Sequence, residues 1–157
     1  MPQSRQLSVI MFTDIVGYTA LMGNDEKKAY ALLDNNRKLQ RPMIEAFHGR
    51  WIKEIGDGVL ASFQTVSDAV HAAVKIQEAC NLAKDFQLRI GIHQGEIVFE
   101  ADDIFGNAVN IAARIQAAAS PGCIFISETI HSAIIDEPVF STRFVKEEIL
   151  RNVAQPV

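Results

Sequence analysis

Three small groups of polar residues stand among or beside apolar runs, and each has a spacing that can do chemistry. The stretch VIMFTDIVGYT, residues 9–19, ends an apolar run on one carboxylate, Asp14, with a glycine and small polar residues close behind. A second carboxylate, Asp57, sits in the Gly56-Asp57-Gly58 turn of KEIGDGVLASF. If the strands that carry them are neighbours, both acids emerge at one edge of a sheet. Paired carboxylates at a rim suit one or two Mg2+ or Mn2+ ions, which prefer oxygen ligands and keep positions open for phosphate. Two such ions can clamp the attacking and leaving oxygens of a phosphoryl displacement. Gly17 lets the chain turn close to a ligand, and N–H groups ahead of the next helix can meet phosphate. Taken singly, Asp14 also fits a helix-entry cap and Asp57 an ordinary turn residue, and spacing leaves both readings open.

The third group is DDIFGNAVNIAARIQ. Asn110 and Arg114 are four apart and share one helix face. Val109, Ile111, Ala112, Ala113 and Ile115 around them are apolar and can bury. An amide beside a guanidinium suits an anion, because arginine binds phosphate oxygens bidentately and asparagine can donate to a developing alkoxide or a ribose oxygen. A solvated arginine beside a neutral asparagine remains the plain alternative.

These groups need elements to hold them. Residues 7–12 (LSVIMF) read as a strand buried on both faces. A helical pattern follows over about 25–47, with Pro42 inside it predicting a kink or a restart. Residues 50–55 and 59–63 read as a hairpin around the Asp-Gly turn. A second helix is predicted from 67–68 to about 82. Residues 87–99 read as a strand pair or one long strand, with Gly91 and Gly95 as bends, and 102–106 as a loop. A third helix covers 107–119. A short strand (123–127), a short helix (128–135) and a further strand (139–145) close the pattern. Mixed strands and helices with a clear antiparallel hairpin predict an α+β fold, helices packed on one mostly antiparallel sheet.

The bulk properties narrow the function classes. The chain has 157 residues, 48% of them hydrophobic, which fits one globular domain with a polar tail at 1–6. Its net charge of −4 gives no basic face for a sequence-independent grip on nucleic acid. No apolar stretch approaches the roughly 20 residues of a membrane span. Cys80 and Cys123 lack metal-ligand spacing and read as two buried free thiols, which predicts a reducing, cytoplasmic setting. His48, His71, His93 and His131 have no ligand-like grouping and read as structural or surface residues. The nucleotide fingerprints GxGxxG and GxxxxGK[ST] are absent, so any nucleotide site must be built another way.

Taken together, these segments resemble the class III adenylyl and guanylyl cyclase catalytic domain. FTDIVGYT is similar to that family's first metal motif, and KEIGDGVLASF to its second metal motif with the base-reading lysine. DIFGNAVNIAAR is similar to its base-reading and transition-state segment, and LRNVAQPV to its late phosphate-binding segment. The four occur in the family's order and span nearly the whole chain. The GG[DE]EF signature of the diguanylate cyclases is absent.

The resemblance implies a ferredoxin-like βαββαβ core with additions, and a cyclase making 3′,5′-cyclic nucleotide and pyrophosphate. Asp14 and Asp57 would hold two Mg2+ or Mn2+ ions, with the Ile15 carbonyl as a further ligand. The backbone of Val16, Gly17, Tyr18 and Thr19 would cradle the triphosphate. Lys53 and Asp103 would read adenine, Asn110 would orient the ribose, and Arg114 would stabilise the transferring α-phosphate. Arg151 falls where the family often has a lysine for the terminal phosphates. The guanylyl pattern usually has an acid at the lysine position and a small polar residue or cysteine at the aspartate position, so ATP is the expected substrate. The alternatives are a guanylyl cyclase and a nucleotide-binding domain that has lost catalysis. The family works as a head-to-tail dimer, so a homodimer with two composite sites is expected. The family usually continues beyond the final Pro-Val, which implies a module cut from a longer protein with regulatory domains elsewhere.

Overall fold

In the computed structural model, which describes residues 4–137, the first strand, β1 (Ser4–Ile15), lies at the middle of the sheet. It begins at Ser4, three residues before the apolar run predicted, and pairs antiparallel with two partners. On one side is β3 (Gly58–Phe63), on the other β4 (Leu88–Glu100). Outside β3 lies its hairpin partner β2 (Arg50–Ile55). Outside β4 lie β5 (Asp103–Phe105), antiparallel, and β6 (Ile124–Ile126), parallel. The spatial order is β2-β3-β1-β4-β5. The α+β prediction holds.

Each face of the sheet has its own core. Val9 and Met11 of β1, with Ala61 and Phe63 of β3, bury on one face. There they meet α2 (Glu26–Ala46), α3 (Val66–Ala83) and α5 (Glu128–Ile134). Ile10 and Leu60 point to the other face, against Ala108 and Ala112 of α4 (Asn107–Ala118). This is the two-sided burial expected of a continuous apolar strand. Near the functional end of β1, Thr13 is fully buried and exchanges hydrogen bonds with Gln40 of α2, which in turn donates to Asn36. That string anchors α2 to β1 one residue before Asp14.

Several boundaries differ from the sequence reading. The short helix α1 (Tyr18–Asn24) precedes α2. Pro42 lies inside α2, which runs through it as one element rather than restarting. Thr65, not Ser67, caps α3, accepting from the Asp68 N–H. Residues 103–105 are a strand and not loop. The predicted strand at 139–145 lies outside the described residues.

Gly91 and Gly95 are not bends, for β4 is one strand through both. They admit α4 instead. A Cβ on Gly91 would meet the Gln116 backbone N at 2.3 Å and Cα at 2.7 Å, and one on Gly95 would meet the Ala108 Cβ at 2.7 Å. Backbone cannot swing away as a side-chain tip can. Gly91→Ala is therefore expected to cost about 3 kcal/mol, at the upper end for overpacking. Urea unfolding checks this, and an unchanged midpoint would mean that α4 does not rest on β4 in this way.

Candidate active site

The two carboxylates come together as the hairpin reading requires. Thr13 of β1 pairs with Val59 of β3, so the β2–β3 turn lies beside the end of β1. There the Ile15 N–H donates to Asp57 Oδ2 at 2.9 Å. Gly56 holds a φ of +61° in that turn, a conformation that favours glycine. Gly58 is buried, and a Cβ there would meet the Ile55 carbonyl oxygen at 3.1 Å, so a larger residue would crowd the turn.

Asp14 is partly buried, and its Oδ1 makes no hydrogen bond with any described residue. Burial pushes its pKa up, and the charge of Asp57 adds to that; the nearby Gln116 amide and Arg89 pull the other way. Arg89 opposes Asp14 in the β1–β4 register, with Nη1 at 3.6 Å from Oδ1 and Nε donating to the Ala119 carbonyl at 3.1 Å. Among the described residues no cluster of three or more His, Cys, Asp or Glu forms a self-sufficient metal cage. Two carboxylates and a strand-end carbonyl, with one carboxylate oxygen lacking a donor, fit a hard cation that brings other oxygen ligands with it. A magnesium ion carried on a nucleotide's phosphates is such a cation.

Gly17 follows in the left-handed region, φ +75°, and starts α1. The Val16 N–H already donates to the Gln87 carbonyl at 2.9 Å, so it is not free to cradle phosphate as the resemblance implies. The Tyr18 side chain is buried, while Gly17 and Thr19 are exposed at the helix start, where first-turn N–H groups lack intrahelical acceptors. Arg151 lies outside the described residues.

Lys53 and Asp103 meet directly, Nζ to Oδ2 at 2.8 Å. Two local irregularities make this contact. The first is a bulge in β2 between Trp51 and Lys53, where Trp51 pairs with Ala61 and Lys53 with Leu60. Strict alternation would pair Lys53 with Val59 and aim it at the α2 face. The extra residue puts Lys53 on the same face as Leu60, toward β5. Glu54 then points to the opposite face, where Arg37 of α2 donates to both its oxygens. The second is the β4–β5 turn. Ala101 and Asp102 both have positive φ, as in a two-residue I′ hairpin, and they return Asp103 to pair with Glu100. The lysine holds the Asp103 carboxyl below the usual carboxylate range.

Asn110 and Arg114 share a face of α4, and Arg114 Nη1 donates to the Asn110 carbonyl at 3.3 Å. Asn110 is exposed and Arg114 half-buried. Ala108, Ile111, Ala112 and Ile115 bury behind them, whereas Val109 and Ala113 are only partly covered. The chain thus assembles three pairs: two acids, a donor beside an acceptor, and an amide beside a guanidinium. Among the described residues no hydrogen bond or ion pair joins one pair to another.

Arg89 and Gln116 escaped the sequence reading. A charge inside the apolar LRIGI run was the available signal for the first. Cys80 is buried, its thiol pushed up to about 11 by burial, but Cys123 is exposed, because β6 begins only after it. The partly buried His93 is hydrogen-bonded to Ser127 Oγ at 2.8 Å, and burial pushes its pKa down.

Comparison with known proteins agrees with this fold. A family model described as the adenylate and guanylate cyclase catalytic domain matches residues 1–152. The chain is 38% identical over 138 residues to putative adenylate cyclase 3 of Rhizobium meliloti, covering 83% of this chain and 24% of that protein. It is 31% identical over 145 residues to a pH-sensitive adenylate cyclase of Mycobacterium tuberculosis, covering 88% and 35%. The chain therefore spans about a quarter to a third of the length of these relatives. Among solved structures, an adenylate/guanylate cyclase/hydrolase from Silicibacter pomeroyi superposes with a TM-score of 0.92 at 34% identity, over 99% of this chain and 95% of that one. The adenylyl cyclase CyaB from P. aeruginosa shares the fold with a TM-score of 0.89 at 24% identity, over 99% and 93%.

Proposed function

Because the chain belongs to the adenylate and guanylate cyclase catalytic-domain family, we propose that it converts ATP to 3′,5′-cyclic AMP and pyrophosphate. The observation that carries the choice of ATP is the Lys53–Asp103 pair. It sets a donor beside an acceptor. Adenine offers the complement, an acceptor at N1 and a donor at the 6-amino group, whereas guanine presents the reverse. A site whose polar groups are left unpaired by the wrong base discriminates strongly.

The reaction joins two parts of one molecule. The ribose 3′-hydroxyl gives up its proton to water or a phosphate oxygen as its oxygen attacks the α-phosphorus, the bond from that phosphorus to the α–β bridging oxygen breaks, and pyrophosphate leaves. The protein's task is to bend the nucleotide, align the displacement and neutralise charge. Asp14, Asp57 and the Ile15 carbonyl would hold two Mg2+ or Mn2+ ions, which when bound acidify the 3′-hydroxyl and screen the triphosphate. Gly17, Tyr18 and Thr19 offer backbone N–H groups to the phosphates, with Arg151 as a further cation for them. Asn110 orients the ribose, and Arg114 meets charge developing on the α-phosphate.

The working form is a head-to-tail homodimer. Asp14 and Asp57 of one protomer would face Lys53, Asp103, Asn110 and Arg114 of its partner, giving two equivalent sites. No helix among the described residues is long and apolar enough to cross a membrane. The greater length of the relatives supports regulatory domains outside this chain, and an ATP-supplied, reducing cytoplasm suits both substrate and thiols.

The test is product formation from ATP and from GTP, with Mg2+ and with Mn2+, across protein concentration. Cyclic AMP is expected, with specific activity falling on dilution as dimers separate. Mainly cyclic GMP would overturn the reading of Lys53 and Asp103. No product at any concentration would overturn the catalytic reading. Activity independent of dilution down to nanomolar protein, with a monomer by light scattering, would overturn the composite site.

A further inference from the structure

The C-terminal half of α4 ends beside the acid pair, and one of its side chains has no evident structural duty. Gln116 is 5% exposed, yet its Nε2 makes no hydrogen bond with any described residue. Asp14 Oδ1 is in the same condition. A buried donor without an acceptor and a buried acceptor without a donor each cost about 1–3 kcal/mol. Such groups are uncommon in folded chains, and each calls for an explanation. These two are neighbours, near enough for the amide to favour the ionised form of Asp14. Nor is Gln116 free to drift, since its backbone N and Cα lie over Gly91 with no room for even a methyl group.

We infer that Gln116 is a positioning residue for Asp14, its side-chain amide donating to Oδ1 once that carboxylate engages a divalent cation. The inference rests on the reading of Asp14 as a metal ligand. Its physical logic is charge. Arg89, the other group facing Oδ1, carries a full positive charge that opposes a cation, and it is tied back to the Ala119 carbonyl. A neutral amide can orient the carboxylate without cancelling the charge the metal needs. It also lies six residues after Asn110 and two after Arg114 on the same helix. In the composite arrangement one α4 therefore steadies the metal ligand of one site and carries the phosphate-facing pair of the other.

The experiment compares Mn2+ binding by electron paramagnetic resonance in the unsubstituted chain, Gln116→Met and Asp14→Asn. Methionine keeps the length and removes the donor. The Mn2+ dissociation constant is expected to rise about 10-fold in Gln116→Met, the equivalent of one charge-assisted hydrogen bond. The melting temperature in chelator should not fall, because an orphaned amide has been removed, while the stabilisation by added Mn2+ should shrink. Unchanged Mn2+ affinity in Gln116→Met, with weakened affinity in Asp14→Asn, overturns the role of Gln116 alone. Unchanged affinity in Asp14→Asn overturns the metal reading and this inference with it. A second measurement needs no substitution. The Gln116 side-chain amide proton resonance should move downfield as Mg2+ is added to the unsubstituted chain and saturate with it. A resonance that stays still overturns the proposal even if the methionine variant fails to fold.

Discussion

Asp14→Asn is expected to abolish cyclic nucleotide formation and, in metal-free buffer, to make the chain more heat-stable. Both effects come from one feature, a partly buried carboxylate with an oxygen that no described residue satisfies. Burial is the largest influence on its pKa and pushes it up, and the neighbouring Asp57 pushes the same way. An acid whose folded pKa is raised contributes its stability when protonated and loses it as pH rises through that value, so at neutral pH its charge is a cost. Asparagine has almost the same shape without the charge. Arg89 loses a neighbour but keeps its bond to Ala119, and at 30% exposure it stays in reach of water. A net gain of about 1 kcal/mol would raise the melting temperature by about 2–4 °C in a chain of this size. The activity loss should be roughly 10³-fold or more, since removing a ligand forfeits several kcal/mol of charge stabilisation in the transition state. Calorimetry in chelator and a cyclic AMP assay read the two effects separately. A variant that is both active and no more stable than its parent would show that Asp14 is only a structural residue at the strand end.

The fold was legible where one physical rule dominated. The apolar run into Asp14 had to be a two-sided strand, and Asp-Gly between apolar runs had to turn. The third helix followed from its spacing, and Asn110 and Arg114 do share a face. What escaped was set by contacts between distant segments. Residues 103–105 form only a three-residue strand, and its turn uses Ala101 and Asp102 at positive φ instead of the usual Asn-Gly. Gly91 and Gly95 looked like breaks, yet their meaning lies in the helix that rests on them. Arg89 gains significance only through register opposite Asp14. Cys123 looked buried because its strand was read one residue too early. The resemblance supplied the Lys53 and Asp103 roles, but not the route by which they meet. Alternation counted along β2 sends Lys53 to the wrong face, and only the bulge before it corrects the aim.

That bulge makes the largest specificity prediction concrete, because it delivers the charge at residue 53 to the Asp103 carboxylate and nowhere else. Lys53→Glu combined with Asp103→Cys is expected to turn preference from ATP to GTP. A carboxylate at 53 accepts from guanine N1–H, and a thiol at 103 can donate to O6. The 3′-hydroxyl, the triphosphate and the metal ligands are untouched, so the chemistry should survive. Lys53→Glu alone should be the worst protein of the set. It replaces a 2.8 Å ion pair with two carboxylates facing each other, which repel each other and repel either base edge presented in the wrong sense. The second substitution relieves that clash, so the two changes should be strongly non-additive. Each reversed hydrogen bond at a desolvated edge costs about 1.5–3 kcal/mol when charge is involved. Two of them predict a change of about 10²-fold or more in the ratio of kcat/KM for GTP over ATP. Competition between the two nucleotides in one reaction measures that ratio directly. A double variant that still prefers ATP would mean that the base is read elsewhere, and that Lys53 and Asp103 are bonded to each other only to hold β2 against β5.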